Sequence, residues 1–429
     1  MKQDSLRVLV VGQGGREHAL VWKLASSPRV ARVYAAPGNP GAARLASCVP
    51  IAAGDIPALA SFALEHRVDL TVVGPEVPLA LGIVDEFTRL GLAVFGPTRA
   101  AAEIESSKVW AKQFMTRHGI PTAGYRVFRD ANAAAGFVRH HGTPVVVKAD
   151  GLAAGKGVVV ARTAEEAEDG VRAVASLGAG GAILVEDLLV GREMSFFAVT
   201  DGKTSVPLLT ARDHKRARDG DVGPNTGGMG AIAPAPEGDA ALGARIMSEI
   251  IEPAVKGLAE EGRRYVGVLY AGIMLTSSGP RVLEFNARLG DPETQAILPM
   301  MESDIVDLIE AAVEGQGLSS DLVRWRPAAS ACVVVASEGY PERPRTGDEV
   351  HIDEAGAAAE GVILFHAGTR FDDGRLVTSG GRVLNVVATG ASVQEAADRA
   401  YRGVRHVRFR GMWHREDIGR VQSPQVSQA

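Results

Sequence analysis

Over the first hundred residues the apolar positions come in short, nearly unbroken blocks. Residues 6–11, 33–36, 70–73 and 93–95 are built almost wholly of Val, Leu, Ala and aromatic side chains. Such blocks read as strands buried on both faces, as in a parallel sheet. Each is followed by a Gly/Pro turn: Gly12-Gln13-Gly14-Gly15, Pro37-Gly38-Asn39-Pro40-Gly41, Gly74-Pro75-Glu76 and Gly96-Pro97-Thr98. The first turn opens an amphipathic helix to about residue 26. This strand-turn-helix rhythm predicts a doubly wound, Rossmann-like α/β sheet with ligands at the carboxyl ends of its strands.

A helix over 100–118 leads into a smaller unit over 122–189, with strands at 145–148, 157–161 and 182–186 and a helix at 165–175. Strands follow at 194–200, 206–209, 267–275 and 280–285, with helices at 241–261 and 304–314. Beyond these lie strands at 330–336, 362–367 and 383–389, a helix at 393–402, and a polar tail from 421. The predicted division is 1–102, 103–325 with a small subdomain over 122–189, and 326–429.

The 429 residues suit about three domains, and 46% hydrophobic with only 5% aromatic content suits an α/β protein rich in Ala, Val and Gly. A net charge of −5 argues against nucleic acid or membrane as a partner. Cys48 and Cys332 are far apart and show no metal spacing. No apolar run suits a signal peptide or a membrane span. The expected setting is the cytoplasm.

Candidate chemistry concentrates in a few segments. In Val282-Leu283-Glu284-Phe285-Asn286-Ala287-Arg288, period two puts Glu284, Asn286 and Arg288 on one face. A carboxylate beside an amide oxygen suits a hard Mg²⁺ that takes its other ligands from phosphates and water. Gly290 permits a bend, and Asp291-Pro292-Glu293 predicts a helix start capped by Asp291. Lys148 ends an apolar strand and enters the Gly/Ala loop that carries Gly155, Lys156 and Gly157, a design able to close over phosphates. Val185-Glu186-Asp187-Leu188-Leu189 follows a strand and could supply a hinge whose backbone meets an adenine edge, with Glu193 accepting from ribose hydroxyls, although by itself the stretch reads as solvated charges. Asp213-His214-Lys215-Arg216 and Gly223-Pro224-Asn225-Thr226-Gly227-Gly228-Met229-Gly230 permit close backbone approach to a ligand. At the N-terminus, Glu17 stands where a dinucleotide fingerprint needs its third glycine, so a helix N-terminus beside Arg16 suits a single phosphate. His18 reads as helix packing.

Taken together, GQGGREHAL (12–20), PGNPG (37–41), GPEVP (74–78), GPT (96–98) with Ser107-Lys108, KADGLAAGKG (148–157), DHKR (213–216), GPNTGGMGA (223–231), EFNARLGDPET (284–294) and HAGT (366–369) resemble the glycinamide ribonucleotide synthetase family of ATP-grasp enzymes over almost the whole chain. The resemblance implies an ATP-grasp fold: a Rossmann-like N-terminal domain, a small lid domain and a C-terminal α+β domain. It implies ATP, glycine and 5-phosphoribosylamine as substrates and Mg²⁺ or Mn²⁺ as cofactor, in a monomer. Glu284 and Asn286 would hold the metal. Lys108, Lys148, Gly155, Lys156, Gly157, Glu186, Leu188 and Glu193 would bind ATP. Arg288 and Asp213 would grip glycine near Gly290, with Lys148 as a third catalytic group. Gly14, Gly15, Arg16, Glu17, Asn39 and Glu76 would take phosphoribosylamine. Against the family pattern, the segment Leu177-Gly178-Ala179-Gly180-Gly181 is short and Leu188 replaces a common aromatic.

Three rival readings use parts of the same pattern. Another ATP-grasp carboxylate–amine ligase or a carboxylase would act on a related ribonucleotide, the carboxylase using bicarbonate in place of glycine. A nucleotide-sensing protein would have lost Glu284 or Asn286. A dehydrogenase rests only on the N-terminal glycines and leaves 108–294 unexplained.

Overall fold

The structure, a computed structural model, describes residues 5–152, 157–177, 181–420 and 427–428. Strands β1 (Leu6–Gly12), β2 (Val30–Pro37), β3 (Ser47–Cys48), β4 (Leu70–Val73) and β5 (Val94–Phe95) form a parallel sheet in the order β3-β2-β1-β4-β5. Period two divides β1 between two cores. Leu9 and Val11 enter one, while Val8 and Val10 enter the other. The chain winds outward from β1 in both directions, so the turns after β1 and β4 meet at the switch point.

Four antiparallel strands follow as a separate sheet: β6 (Tyr125–Phe128), β7 (Val145–Ala149), β8 (Val158–Ala161) and β9 (Ile183–Asp187), ordered β6-β9-β7-β8. Helices Ala131–His141 and Ala164–Ser176 supply its cover, and Val138, Val147, Val171 and Val185 share a core of their own.

β10 (Val190–Thr200) and β11 (Ser205–Pro207) begin a third sheet. The chain then forms β12 (Arg212–Asp213), a hairpin of β13 (Arg216–Arg218) and β14 (Val222–Asn225), and β15 (Gly230–Ala233). It returns to the third sheet with β16 (Gly267–Thr276) and β17 (Gly279–Asn286), ordered β11-β10-β16-β17. β12 and β15 instead join the C-terminal strands β18 (Ala329–Ala336), Arg382–Gly390 and Ile363–His366 in one sheet. The loop carrying DHKR and GPNTGGMG therefore hangs from a sheet completed by the C-terminal strands.

Three local expectations are corrected. The helix expected over 100–118 is two, Arg99–Ser106 and Lys108–Arg117, because Ser107 caps the second by accepting from the Trp110 N–H at 3.1 Å. The helix expected over 241–261 contains a π-helical stretch, Met247–Ile251, just before Pro253, which has no N–H for the α-helical ladder. The helix after Gly290 begins at Glu293 rather than Pro292. Asp291 does not cap it, because its carboxylate accepts from Gln295 Nε2 at 2.7 Å and faces Arg382 at 3.3 Å. Among the described residues no helix is long and apolar enough to cross a membrane.

Candidate active site

A cavity of 1060 Å³ opens between the four-stranded sheet and the third sheet, with the N-terminal turns and the C-terminal strands at its far side. Glu284 and Asn286 line it from β17. A bulge at Leu283, between the Ile273–Val282 and Gly272–Glu284 pairs, sets their facing. Among the described residues neither the Glu284 carboxylate nor the Asn286 amide makes a side-chain hydrogen bond or an ion pair. Burial would push the Glu284 carboxyl up, but Lys215, Lys148, Lys108 and Arg288 outweigh it and hold it below the usual range. An ionised carboxylate and an amide oxygen, both uncommitted, fit a hard divalent cation. Among the described residues no cluster of three or more His, Cys, Asp or Glu could hold a metal alone, so phosphate and water oxygens would complete the shell.

The lysines around this pair are anchored. Lys148 Nζ lies 2.9 Å from Glu186 Oε1 and 3.3 Å from the Leu283 carbonyl. Lys112 Nζ lies 2.7 Å from Glu186 Oε2 and donates to Thr122 Oγ1 at 2.7 Å. Burial depresses Lys112 to about 8 against the pull of Glu186. Lys108 donates to the Gly151 carbonyl at 2.8 Å, and burial lowers it too. Lys215 pairs with Glu193 at 3.2 Å, and that carboxylate holds it well above its ordinary value. Glu186 thus spends its side chain on two lysines. Leu188 itself does not line the cavity, whereas its neighbours Asp187 and Leu189 do. Gly157 closes the loop by accepting from the Ala149 N–H at 2.8 Å. Gly155 and Lys156 lie outside the described residues, as do 178–180 of the short segment.

Arg288 sits two residues beyond β17 and is already clasped. Its Nε lies 3.2 Å from Glu76 Oε2 and its Nη2 2.9 Å from Glu105 Oε1. Glu105 also accepts from the Ala287 N–H at 2.7 Å, fixing the backbone between Asn286 and Arg288. Glu76 is held below the usual carboxylate range: burial opposes, but Arg288 and Arg16 prevail. At Glu105 burial prevails and raises it. Asp213 lines the cavity with its Oδ1 buried and unpartnered, and burial together with Glu293 drives it well above the usual range. Glu293 accepts from Ser195 Oγ at 3.0 Å. Gly290 allows that packing, because a Cβ there would lie 2.4 Å from Glu293 Oε2.

The N-terminal motif departs from expectation. The helix N-terminus that was to face a phosphate is closed by its own Glu17, which accepts from the Gly14 N–H at 2.6 Å and from Arg16 Nε at 2.5 Å. Cβ atoms on Gly12, Gly14 or Gly74 would all strike the Glu17 side chain, so these glycines make room for it. Gly15 packs against Asn385 and Gln295. Asn39 Nδ2 donates to the carbonyls of Gln13 at 2.8 Å and His366 at 2.9 Å, and its Oδ1 accepts from the Ala42 N–H. His18 Nδ1 accepts from the His366 N–H at 2.8 Å, with Gly41 wedged against both rings. GQGGREHAL, PGNPG and HAGT therefore form one knot joining the first sheet to the C-terminal strands. Gly14, Gly15, Glu17 and Asn39 do not line the cavity, whereas Arg16 and Glu76 do.

Glu105, Lys112 and Arg382 are cavity residues that the sequence reading did not single out. Lys112 carried a signal, lying one helical turn from Lys108 on the same face. Arg382 carried none.

Family models for the N domain, the ATP-grasp (A) domain and the C domain of phosphoribosylglycinamide synthetase match residues 6–105, 106–294 and 330–421. The phosphoribosylamine–glycine ligase of Xanthomonas axonopodis pv. citri is 49% identical over 423 residues, covering 96% of this chain and 97% of its own. That of Salmonella typhimurium is 50% identical over 422 residues, covering 96% and 98%. The crystal structure of the Thermotoga maritima phosphoribosylamine–glycine ligase superposes with a TM-score of 0.83 at 35% identity, covering 96% of this chain and all of that one. A biotin carboxylase domain of Hydrogenobacter thermophilus 2-oxoglutarate carboxylase, at 16% identity and a TM-score of 0.73, shares the fold. The uncommitted Glu284–Asn286 pair among anchored lysines thus stands on an ATP-grasp framework, and the chain belongs to the phosphoribosylamine–glycine ligase family.

Proposed function

We propose that this chain joins glycine to 5-phosphoribosylamine at the expense of ATP, giving glycinamide ribonucleotide, ADP and phosphate in purine biosynthesis. The observation that carries the reading is the uncommitted Glu284–Asn286 pair facing Lys108, Lys148 and Lys215 in one cavity. Glu284 and Asn286 would hold Mg²⁺ or Mn²⁺, which when bound neutralises phosphate charge and orients the γ-phosphate.

In this reading Lys108 and Lys148 neutralise the phosphates, and Lys156 with Gly155 and Gly157 covers them. The backbone at Glu186–Leu188 meets adenine, and Glu193 the ribose. Arg288 grips the glycine carboxylate, and the unpartnered Asp213 Oδ1 receives its ammonium. The glycine carboxylate oxygen attacks the γ-phosphorus, and ADP leaves with the bond electrons. The sugar amine then attacks the carbonyl carbon of glycyl phosphate, phosphate leaves, and the amine proton passes to solvent. Arg16 and Glu76 face the amine substrate. The work is positioning and charge stabilisation. Residues 1–102 would carry the sugar side, 103–325 with its lid at 122–189 the nucleotide, and 326–429 the closing wall. The protein would act as a cytoplasmic monomer, without nucleic-acid or membrane partners.

The test is ADP release with glycine, ATP, Mg²⁺ and freshly generated phosphoribosylamine, each omitted in turn. All four should be required. Equal turnover with bicarbonate in place of glycine would sink the assignment in favour of a carboxylase.

A further inference from the structure

The hairpin β13–β14 stands between two parts of the cavity wall. Asp213 and Lys215 line the cavity just before it, and Asn225 and Thr226 at its far end. Lys215 pairs with Glu193 at 3.2 Å. Against the burial that would raise the Glu284 carboxyl, Lys215 leads the cations that hold it below its usual range. Yet the hairpin has almost nothing of its own to fix it. Of residues 216–225 only Ala217 is buried, and Val222 is 58% exposed. A two-stranded hairpin without an apolar face is marginal in water. Its placement has to come from another part of the chain.

Arg415 supplies it. Its side chain is 1% exposed, and its guanidinium donates four hydrogen bonds. Nε and Nη2 each hold one Asp417 carboxylate oxygen at 2.7 Å, a fork that fixes the guanidinium plane. Nη1 then reaches the hairpin, donating to the Arg216 carbonyl at 3.0 Å and to Asp221 Oδ1 at 2.7 Å. Neighbouring contacts join the same two segments. Asp417 accepts from the Gly220 N–H and Asp219 from the Glu416 N–H, both at 2.8 Å. The Arg218 guanidinium lies over the Trp413 ring, 4.9 Å from its centroid. The Arg216 carbonyl belongs to the residue that follows Lys215. The Lys215 carbonyl accepts in turn from the Thr226 N–H and Oγ1, both at 2.8 Å. The backbone is thus held on both sides of the Lys215–Arg216 peptide.

We infer that Arg415 is a positioning residue for the ligation: by clasping the β13–β14 hairpin it holds Lys215 beside Glu193, where the lysine charge acts on the phosphate being transferred. This rests on the ligase reading above and adds a residue that works through another. Arg415 spends its donors on Asp417, Asp221 and the Arg216 carbonyl, so its part is to hold the hairpin. Without the clasp the exposed hairpin keeps no fixed register. A displacement of about 1 Å at a charge-stabilising group can cost about a hundredfold in rate.

The experiment takes Arg415→Met, Lys215→Met, their combination, and the milder Arg415→Lys and Asp221→Asn. In steady-state ADP release, Arg415→Met should lower kcat at least about tenfold while the phosphoribosylamine KM moves less than about threefold. A loss confined to that KM would overturn the inference. Arg415→Lys keeps the charge without the fork and should recover at least about threefold in kcat over Arg415→Met. The double variant should lie within about threefold of Lys215→Met alone, because a residue that acts through Lys215 then has nothing left to position. Losses that multiply, as a merely weakened fold would give, would overturn the inference. If Arg415→Met does not fold, Asp221→Asn decides the matter. It loosens the clasp from the exposed turn, where φ is +54° and Asn is tolerated, and should lower kcat at least about threefold. An unchanged kcat there would count against the clasp. Hydrogen exchange needs no turnover: amides of 216–226 should exchange at least about tenfold faster in Arg415→Met or Asp221→Asn, with those of β1 unchanged. Unaltered exchange in the hairpin would overturn the inference. Absence of glycine-dependent ADP release in wild type would sink the ligase reading instead, while the exchange would still decide whether Arg415 holds the hairpin.

Discussion

Replacing Arg288 by lysine separates charge from geometry at the centre of the cavity. A guanidinium has five N–H donors. Here Nε serves Glu76 at 3.2 Å, Nη2 serves Glu105 at 2.9 Å, and Nη1 reaches the Leu289 carbonyl at 3.3 Å. One N–H on each terminal nitrogen remains, and these are the two proposed to meet the glycine carboxylate. A lysine ammonium has three donors on one atom, and the three existing partners would exhaust them. The change should therefore cost both charge-assisted hydrogen bonds to substrate, of which even one is worth about 1.5–3 kcal/mol. That corresponds to a fall of roughly 10- to 150-fold in kcat/KM for glycine. The assay is steady-state ADP release with glycine varied at saturating ATP, then ATP varied at saturating glycine. The glycine KM should rise more than the ATP KM. The reverse order would move Arg288 to the phosphates, and no change in either would remove it from substrate contact.

Glu284→Gln removes the negative charge from the uncommitted pair and should cut turnover at least about tenfold with the fold intact; normal rate and normal Mg²⁺ dependence would contradict the metal assignment. Glu186→Gln leaves Lys112 and Lys148 buried beside a neutral partner, and loss of a buried ion-pair partner should cost about 3–5 kcal/mol, read from urea unfolding; a variant as stable as wild type would show the two lysines to be neutral already. Burial, with His366 and Arg44 adding to it, holds His18 at about 3, and burial, with Arg44 adding, holds His366 at about 4. The unfolded chain therefore binds more protons below 6.5, and stability falls with pH from there down to those values by up to about 1.4 kcal/mol per unit for each ring. His18→Asn keeps an acceptor for the His366 N–H and removes one of the titrations, so its loss on going from pH 6.5 to 5 should be visibly shallower; parallel urea midpoints at the two pH values would refute the linkage.

How much of this was legible in the sequence depends on how local each signal is. Strands β1 and β4 announced themselves because a parallel strand is apolar on both faces, and Glu284 with Asn286 because period two fixes their common facing. The closure of the first helix was written locally too: Glu17 stands three residues after Gly14, the spacing at which a carboxylate reaches back to the cap N–H. Reading the glycines as room for a ligand obscured that they make room for Glu17. The knot of Asn39, His18 and His366 had no local signal, because its bonds join residues more than three hundred positions apart. The same holds for β12 and β15, which are too short to show a period and find their partners only in the C-terminal sheet. Arg382 followed from none of the patterns, since a single arginine after two glycines looks like any exposed turn until the sheet brings it to Gly227 and Asp291.

The distribution of charge explains why these distant pieces must be assembled before the cavity can act. Four cations press on Glu284, and three of the four are themselves tied to carboxylates from other segments: Lys148 to Glu186 of β9, Lys215 to Glu193 of β10, and Arg288 to Glu76 and Glu105. Each tie spends a carboxylate to hold a cation in place without ligand, so little reorganisation remains when phosphate charge enters. Glu284 and Asn286 are left out of that pairing, and Arg288 keeps one N–H on each terminal nitrogen out of it. A cavity in which most charges are neutralised internally and a few are held open is selective by subtraction: the open acceptors define where a cation sits, and the open donors define where an anion sits. Glu76 comes from the first sheet's turns, Glu105 from the helix Arg99–Ser106 and Arg382 from the C-terminal strands. The selectivity therefore belongs to no single unit, and a lesion in the His18–Asn39–His366 knot, remote from any reacting atom, should act by loosening the register between the N-terminal and C-terminal groups.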